Sequence, residues 1–494
     1  MKKIYLLLTI AAVLGMSSCS LDINDDPNYP SSSDVTPDLV LPAAENAIAA
    51  ATGDAMFNYA GFFAQYFEQR PEANQYNDEA ELNINESSNL FDRCYRTLYA
   101  GALADLKNVM DRTENTSDLF ACTVLRAYAF QLLVDNLDQV PYNEALMGSE
   151  NTNPVWDQGV DVYKGVLDEM DDAEKAIGSD PMTLTDPLLK KSISEWRGFA
   201  NALRLRMYLR LIDGGIDAGA YQSKAVALVN DNKFFTGNVA WNVYSDGDGQ
   251  YNPWYDVTRA LGTKNHVASY PIVTYYLATA DPRIDYAIMK TEANGDYVGQ
   301  LPGSKTKMGD WAGDWKNKDV SAINYAPASS APIYFFTQSE LQFLIAETQL
   351  RWGDKSVAKE AYERGVAEDF ASRGVAMGSF LSGNRVNWDA QATDAAKLNI
   401  IYMQKWAALF YRDHMEAWSE VRRTDVPTTC SSTAAQIYSD PTIYTAGQMI
   451  VPAVNYIMAG GLCKRVPYPA TARQLNKNTP PEKLLSDRVF WDAK

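Results

Sequence analysis

Histidine is nearly absent from this chain: 494 residues contain two, His266 and His414. A catalytic triad, a histidine general base or a His-rich metal centre has almost nothing to be built from. No HExxH, GxSxG, P-loop or GxGxxG pattern occurs, so the common signatures of zinc proteases, serine hydrolases, phosphate cradles and dinucleotide folds are missing too. Cysteine is scarce, five residues with no CxxC, which argues against structural zinc. Positive charge is in deficit: 44 Lys and Arg face 62 Asp and Glu, a net charge of −18. Nucleic acid and anionic membrane surfaces are poor partners for such a chain. Long apolar runs are also lacking after the first fourteen residues, so no second membrane span is expected.

What is present begins at residue 1. Lys2 and Lys3 precede an apolar run from Ile4 to Leu14, followed by Gly15, Met16, Ser17, Ser18 and Cys19. This order predicts a secretory signal peptide over 1–18, too short to span a bilayer. Small residues directly before a cysteine resemble the lipobox of bacterial lipoproteins, so Cys19 is expected to be acylated with palmitate-type chains. Two or three chains would make that anchor durable, since each buried methylene adds about 0.8 kcal/mol. The polar, acidic stretch after it predicts a flexible linker over 19–38 and a folded body over 39–494.

Most of that body reads as helix. Apolar residues recur at helical spacing over 121–136, 163–177, 196–212, 221–229, 339–352, 356–370 and 398–412. Stretches rich in Pro, Gly and Asp separate them. One pair fits a repeat template: Ala346, Ala358, Tyr362 and Gly365 have the small–small–aromatic–small spacing of a tetratricopeptide unit, with Trp352-Gly353-Asp354 as the turn. The fold class expected is therefore mostly α, with irregular tetratricopeptide-like helical repeats and a loop-rich ligand-binding part.

Two zones, 230–265 and 291–332, resist a helical reading and define a loop-rich insertion over 230–335, the candidate ligand face. Long loops in a compact protein are usually functional. These hold Trp241, Tyr251, Trp254, Tyr255, Tyr297, Trp311, Trp315 and Tyr325, which look exposed. Aromatic faces pack on sugar C–H faces while neighbouring polar groups take the hydroxyls. Trp311 and Trp315 are the first ligand-binding candidates, with Tyr297 and Trp254 secondary; Trp254, inside Asn252-Pro253-Trp254-Tyr255, also reads as a structural plug. Asp246-Gly247-Asp248-Gly249 alternates oxygen donors as a structural calcium site would, but lacks the later Glu of an EF-hand, and a solvated turn serves as well. No other cofactor is expected. Cys94 and Cys122 fall in helical patterns and should be buried thiols; whether Cys430 and Cys463 pair is left open. His414 is expected to be a packed helix-end residue, and Glu416, Arg422 and Arg423 a structural ion network.

Several stretches resemble one family. Asp22-Ile23-Asn24-Asp25-Asp26-Pro27-Asn28 is similar to its opening. Leu125-Arg126-Ala127-Tyr128 through Asp138-Gln139-Val140-Pro141-Tyr142-Asn143-Glu144-Ala145 resembles its first repeat helix and exit loop, except that Asp138 stands where the family commonly has Gly. Asn252-Pro253-Trp254-Tyr255 with Asp281-Pro282-Arg283, then Phe343-Leu344-Ile345-Ala346-Glu347, also match. The most specific stretches are Gln404-Lys405-Trp406, Glu416-Ala417-Trp418-Ser419-Glu420-Val421-Arg422-Arg423-Thr424 and Arg465-Val466-Pro467-Tyr468-Pro469 with Asn476. Together they resemble the SusD/RagB family of outer-membrane nutrient-binding lipoproteins. The resemblance implies four irregular tetratricopeptide-like units and no enzymatic activity. It further implies a lipid-anchored protein on the outward face of the outer membrane. Such a protein captures a glycan, or in some members a peptide, and delivers it to a partner SusC-like TonB-dependent transporter. A lipid-anchored glycoside hydrolase is the alternative from another class, since paired carboxylates could serve one.

Overall fold

The structure, a computed structural model, describes residues 35–85, 87–262, 264–304, 316–457 and 460–492. Four helical hairpins organise it. The first pairs α1 (Thr116–Leu137) with α2 (Gly159–Ala176), and the second α3 (Ile193–Asp213) with α4 (Ala218–Asp231). The third pairs α5 (Gln338–Trp352) with α6 (Lys355–Ser372), and the fourth α7 (Asp394–Leu409) with α8 (His414–Thr424). The expected helices are all present, each longer or shifted by a few residues. Six of the eight start on a Ser, Thr, Asp or Asn whose side chain takes an otherwise orphaned backbone N–H: Asn115, Ser192, Thr337, Asp354, Thr393 and Asp413.

The tetratricopeptide spacing does what it predicts. Ala346, Ala358 and Tyr362 are fully buried between α5 and α6, and the Tyr362 hydroxyl donates to the Val386 carbonyl at 2.6 Å. A β-carbon at Gly365 would stand 2.9 Å from the Phe343 ring, so the two helices approach as closely as they do only because that carbon is missing. Helix α1 is long and apolar enough to cross a membrane, yet 89% of its apolar window is buried inside the protein: it is the central core helix.

The body starts earlier than expected. A helix runs Pro37–Thr52, with Pro at its first turn, so the 38/39 boundary falls inside it. Arg112 donates to the Val35 carbonyl at 2.7 Å, and Asp38 accepts from the Thr185 N–H at 2.6 Å. The zone 230–265 is also more regular than its composition suggested. It contains a strand, Val239–Trp241, paired with Ile333–Phe336, and a helix, Pro253–Ala260, capped by the Asn252 side chain. The Asn-Pro pair that starts this helix is a legible signal that the Gly and Asp around it obscured. Zone 291–332 has only single 3-10 turns among its described residues.

All four described cysteines are buried thiols. Cys463 donates to the Arg465 carbonyl at 2.9 Å, while Cys430 packs in a separate small cluster with Leu301, Ala434, Ile437 and Ile450, so the two do not pair. Asp138 has φ 69 and ψ −53, a backbone shape that favours glycine. Its carboxylate accepts the Phe490 N–H at 2.7 Å, a bond glycine could not make.

Candidate functional site

Both histidines are structural. His414 is fully buried, stacked 3.6 Å from Phe57, and burial pushes its pKa down to about 3. Its Nε2 accepts the Tyr411 N–H at 3.0 Å, so Nδ1 carries the proton and donates to the Phe57 carbonyl at 2.9 Å. His266 is likewise buried and neutral, between the Tyr325 hydroxyl and Asn58 Oδ1, each at 2.7 Å.

The carboxylates crowded between α1, α3, α5 and α8 are matched to cations. Arg206 grips Glu340 at 2.7 Å, Arg210 bridges Asp135 and Glu416 at 2.7 and 2.5 Å, and Lys405 meets Glu420 at 3.0 Å. Arg423 touches Asp213, Glu347 and Glu420 at 2.5, 2.6 and 2.6 Å. All but half-buried Asp213 lie beneath the surface, where pairing offsets desolvation. Glu416 and Arg423 belong to this network as expected; Arg422 does not. It lies 3.6 Å above the Trp418 ring and donates to the carbonyls of Asp135 and Lys464, and burial lowers its pKa to about 10. Glu416 and Arg423 reach these partners from α8, a helix buried along its whole length.

The expected ligand residues separate. Trp254 is 3% exposed, stacked on Phe67 and Tyr325 at 5.5 and 5.4 Å, with its indole N–H directed to Asn58 Oδ1 at 3.4 Å. A cavity of about 20 Å³ beside it has room for little more than a water. Of its two readings, the geometry is that of the plug. Trp241 and Tyr325, which looked exposed in sequence, are buried as well. Tyr297 is half-buried; its hydroxyl donates to Asp285, and Lys290 lies 5.5 Å from its ring. Trp311, Trp315 and Cys19 lie outside the described residues.

The segments flanking Trp311 and Trp315 are held firmly. On one side, the Gly303 N–H donates to Glu68 Oε2 at 3.2 Å, and Ser269 donates to Glu68 Oε1 at 3.3 Å. Glu68 lies in a strand, Phe67–Gln69, paired with His266–Ala268; burial raises its carboxyl to about 8. On the other side, Asn317 and Glu72 exchange backbone-to-side-chain bonds at 3.1 and 3.2 Å. Around these anchors Arg70, Glu72, Asn74, Lys264 and Lys316 reach solvent and offer donors and acceptors at the surface. Nothing in the sequence marks Glu68 or Glu72 for this role, because two acids among 62 are singled out only by the fold.

For calcium, Asp248 lies 3.3 Å from Arg259, and the turn is closed by its own backbone bonds, Ser245 N–H to Gln250 O at 2.9 Å among them. Among the described residues no three His, Cys, Asp or Glu side chains group to hold a metal.

The fold is shared with known proteins. Residues 28–445 match a SusD-like family model described as "Starch-binding associating with outer membrane". No curated protein sequence matches. Among solved structures, the chain is similar to a SusD homolog from Bacteroides uniformis, at 20% identity over 92% of this chain and 99% of that one, TM-score 0.69. It is similar to a chitin-binding SusD homolog from Flavobacterium johnsoniae, at 19% identity over 92% and 98%, TM-score 0.72. A SusD-like protein from Bacteroides thetaiotaomicron matches at 22% identity over 93% and 99%, TM-score 0.70. The mostly helical repeat architecture is thus a shared one, and the chain belongs to the SusD-like family.

Proposed function

We propose that this protein is a lipid-anchored, outward-facing outer-membrane lipoprotein that captures an oligosaccharide at its loop face. It then delivers the glycan to a SusC-like TonB-dependent transporter. The observation that carries this is the family match over 28–445, whose description joins carbohydrate binding to the outer membrane. A chitin-binding relative with the same architecture supports the glycan class. The loop face has the chemistry that glycan capture needs. Trp311 and Trp315 supply apolar platforms, and the charged and amide groups around their anchors take hydroxyls. Tyr297 is a secondary contact at this face, whereas Trp254 supports it from beneath.

A non-enzymatic role fits the carboxylates clustered between α1, α3, α5 and α8, since these are ion-paired and buried rather than poised beside a cleft. Peptide capture by strand addition has little to work with at His266–Ala268. One of its edges pairs with Phe67–Gln69, and Val267 bridges Ala322 on the other. A binding screen of the soluble form lacking residues 1–19, against plant, fungal and host glycans and a peptide library, tests the proposal. Saturable binding of one glycan class is expected; saturable peptide binding with no glycan response, or turnover of an oligosaccharide, overturns it.

A further inference from the structure

A second polar pocket, built from residues other than those of the loop face, lies where α7 meets the segments 384–391, 427–428 and 445–448. Its volume is about 370 Å³, within the range of small-ligand sites. Tyr275, Ile400 and Met403, all buried, form an apolar floor. Amide and hydroxyl side chains form the walls, and Arg385 stands among them.

The charge of this pocket is unlike that of the molecule. The whole chain carries −18, yet no Asp or Glu lines the cavity, and Arg385 is its sole charged residue. The acids closest in sequence are engaged elsewhere: Asp389 with Lys359 and Asp394 with Lys355, both at 2.6 Å. Arg385, Asn384 and Asn399 make no side-chain hydrogen bond or ion pair with any other described residue, so their donors face the pocket or solvent. The field of Arg385 nevertheless reaches the floor. Burial raises the Tyr275 phenol, and Arg385 is among the charges that oppose that rise.

The walls are also set in advance. Val386, next to Arg385, is fully buried, with its carbonyl held by Tyr362 at 2.6 Å. Gln391 ties the loop by donating to the carbonyls of Asn384 and Asn387 at 2.9 and 3.1 Å. Opposite, the Gly447 N–H bonds Thr274 at 3.3 Å, and Gln448 Nε2 donates to Thr428 at 3.3 Å. The backbone of the pocket is thus fixed before a ligand enters, and the side chains left to be ordered on binding are those of Arg385, Asn384 and Asn399.

We infer that this pocket is a second saccharide site, specific for a sugar ring bearing an anion, a carboxylate or a sulfate ester. The ring's C–H face rests on Tyr275, Ile400 and Met403, its hydroxyls meet the amides, and its anion pairs with Arg385. Only the ligand class, saccharide, rests on the proposed function; the residues of this pocket and its charge preference are independent of the loop face.

Calorimetric titration of the full chain, purified in detergent, with trigalacturonic acid, galactotriose and galactose 6-sulfate tests this. The wild type should bind at least one anionic sugar saturably, and raising the salt should weaken that binding. R385Q should weaken it at least tenfold, N399A should weaken it less, and W311A/W315A should leave it unchanged. Which of the two anionic sugars binds identifies the anion. Failure of both anionic sugars to bind, or equal affinity in R385Q, overturns the inference. Loss of neutral-glycan binding in W311A/W315A tests the loop face separately, so either proposal can fail alone.

Discussion

Glu68 offers a perturbation whose size follows from the structure. Its carboxyl is buried, accepts the Gly303 N–H and the Ser269 hydroxyl, and has no cation among these partners. Burial raises its pKa from the ordinary 4.5 to about 8. The folded protein therefore holds a proton that the unfolded chain has released, at every pH between those two values. Stability contributed by this group is fully present below about 4.5 and is lost as pH rises towards 8, at about 1.4 kcal/mol per pH unit. The total is on the order of 5 kcal/mol. Glutamine mimics the protonated acid, keeps an acceptor for Gly303 and cannot titrate. The stability of E68Q relative to the wild type should thus climb steadily as the pH is raised from 5 to 8. Paired urea denaturations across that range measure the difference, with other titrating groups cancelling. A difference that stays constant with pH would mean that Glu68 is ionised in the fold, and the burial argument would fail. The site matters beyond stability: Glu68 fixes one flank of the segment that carries Trp311 and Trp315.

Three further outcomes are expected. R423A removes the cation shared by buried Glu347 and Glu420 and half-buried Asp213; Arg351 still reaches Glu347 and Asp213 and Lys405 still reaches Glu420, so the cost should lie at the low end for a buried pair, roughly 3 kcal/mol. Burial alone would raise Glu347, but Arg423 holds it down to about 2, so the pair's contribution is present above the ordinary carboxylate range and fades as pH falls. The deficit of R423A should accordingly shrink on acidification, read by urea midpoints. D138A loses the bond to Phe490 while keeping φ 69, whereas D138G loses the bond but relaxes the backbone; D138G should be about 1 kcal/mol more stable than D138A by thermal denaturation. C19A should shift the protein from the membrane to the soluble fraction and impair growth on its nutrient, while binding in solution is unchanged.

The scaffold was legible because its demands are periodic. Helices α1 to α7 announce themselves by apolar spacing and by capping residues such as Ser192 and Thr337, whereas α8, rich in charged residues, does not. The residues that carry the family resemblance turn out to be scaffold as well. Asp281 and Arg283 pair at 2.6 Å, Gln404 accepts from Arg283 at 2.7 Å, and Arg465 holds the Leu137 carbonyl at the end of α1. Buried charges need fixed partners, so such sequences are constrained and recognisable. The ligand face has no comparable constraint. Groups such as half-buried Arg70 and exposed Lys264 reach solvent, and nothing in their spacing marks them. Aromatic residues misled in the other direction: Trp254 and Tyr325 sit among polar neighbours in sequence, yet a short helix and two strand pairings turn their rings inward. Arg422 adjoins Arg423 in sequence, but one step along a helix turns a side chain by about 100°, and it faces Trp418 instead of the ion network.

Everything proposed for this protein's role turns on capture of a glycan by the loop face. Calorimetric titration of the soluble form with the oligosaccharide the screen selects, comparing wild type with W311A/W315A, decides it. Loss of two stacking platforms should weaken binding at least tenfold while thermal stability is unchanged. Equal affinity in the double variant and the wild type would show that the glycan binds elsewhere.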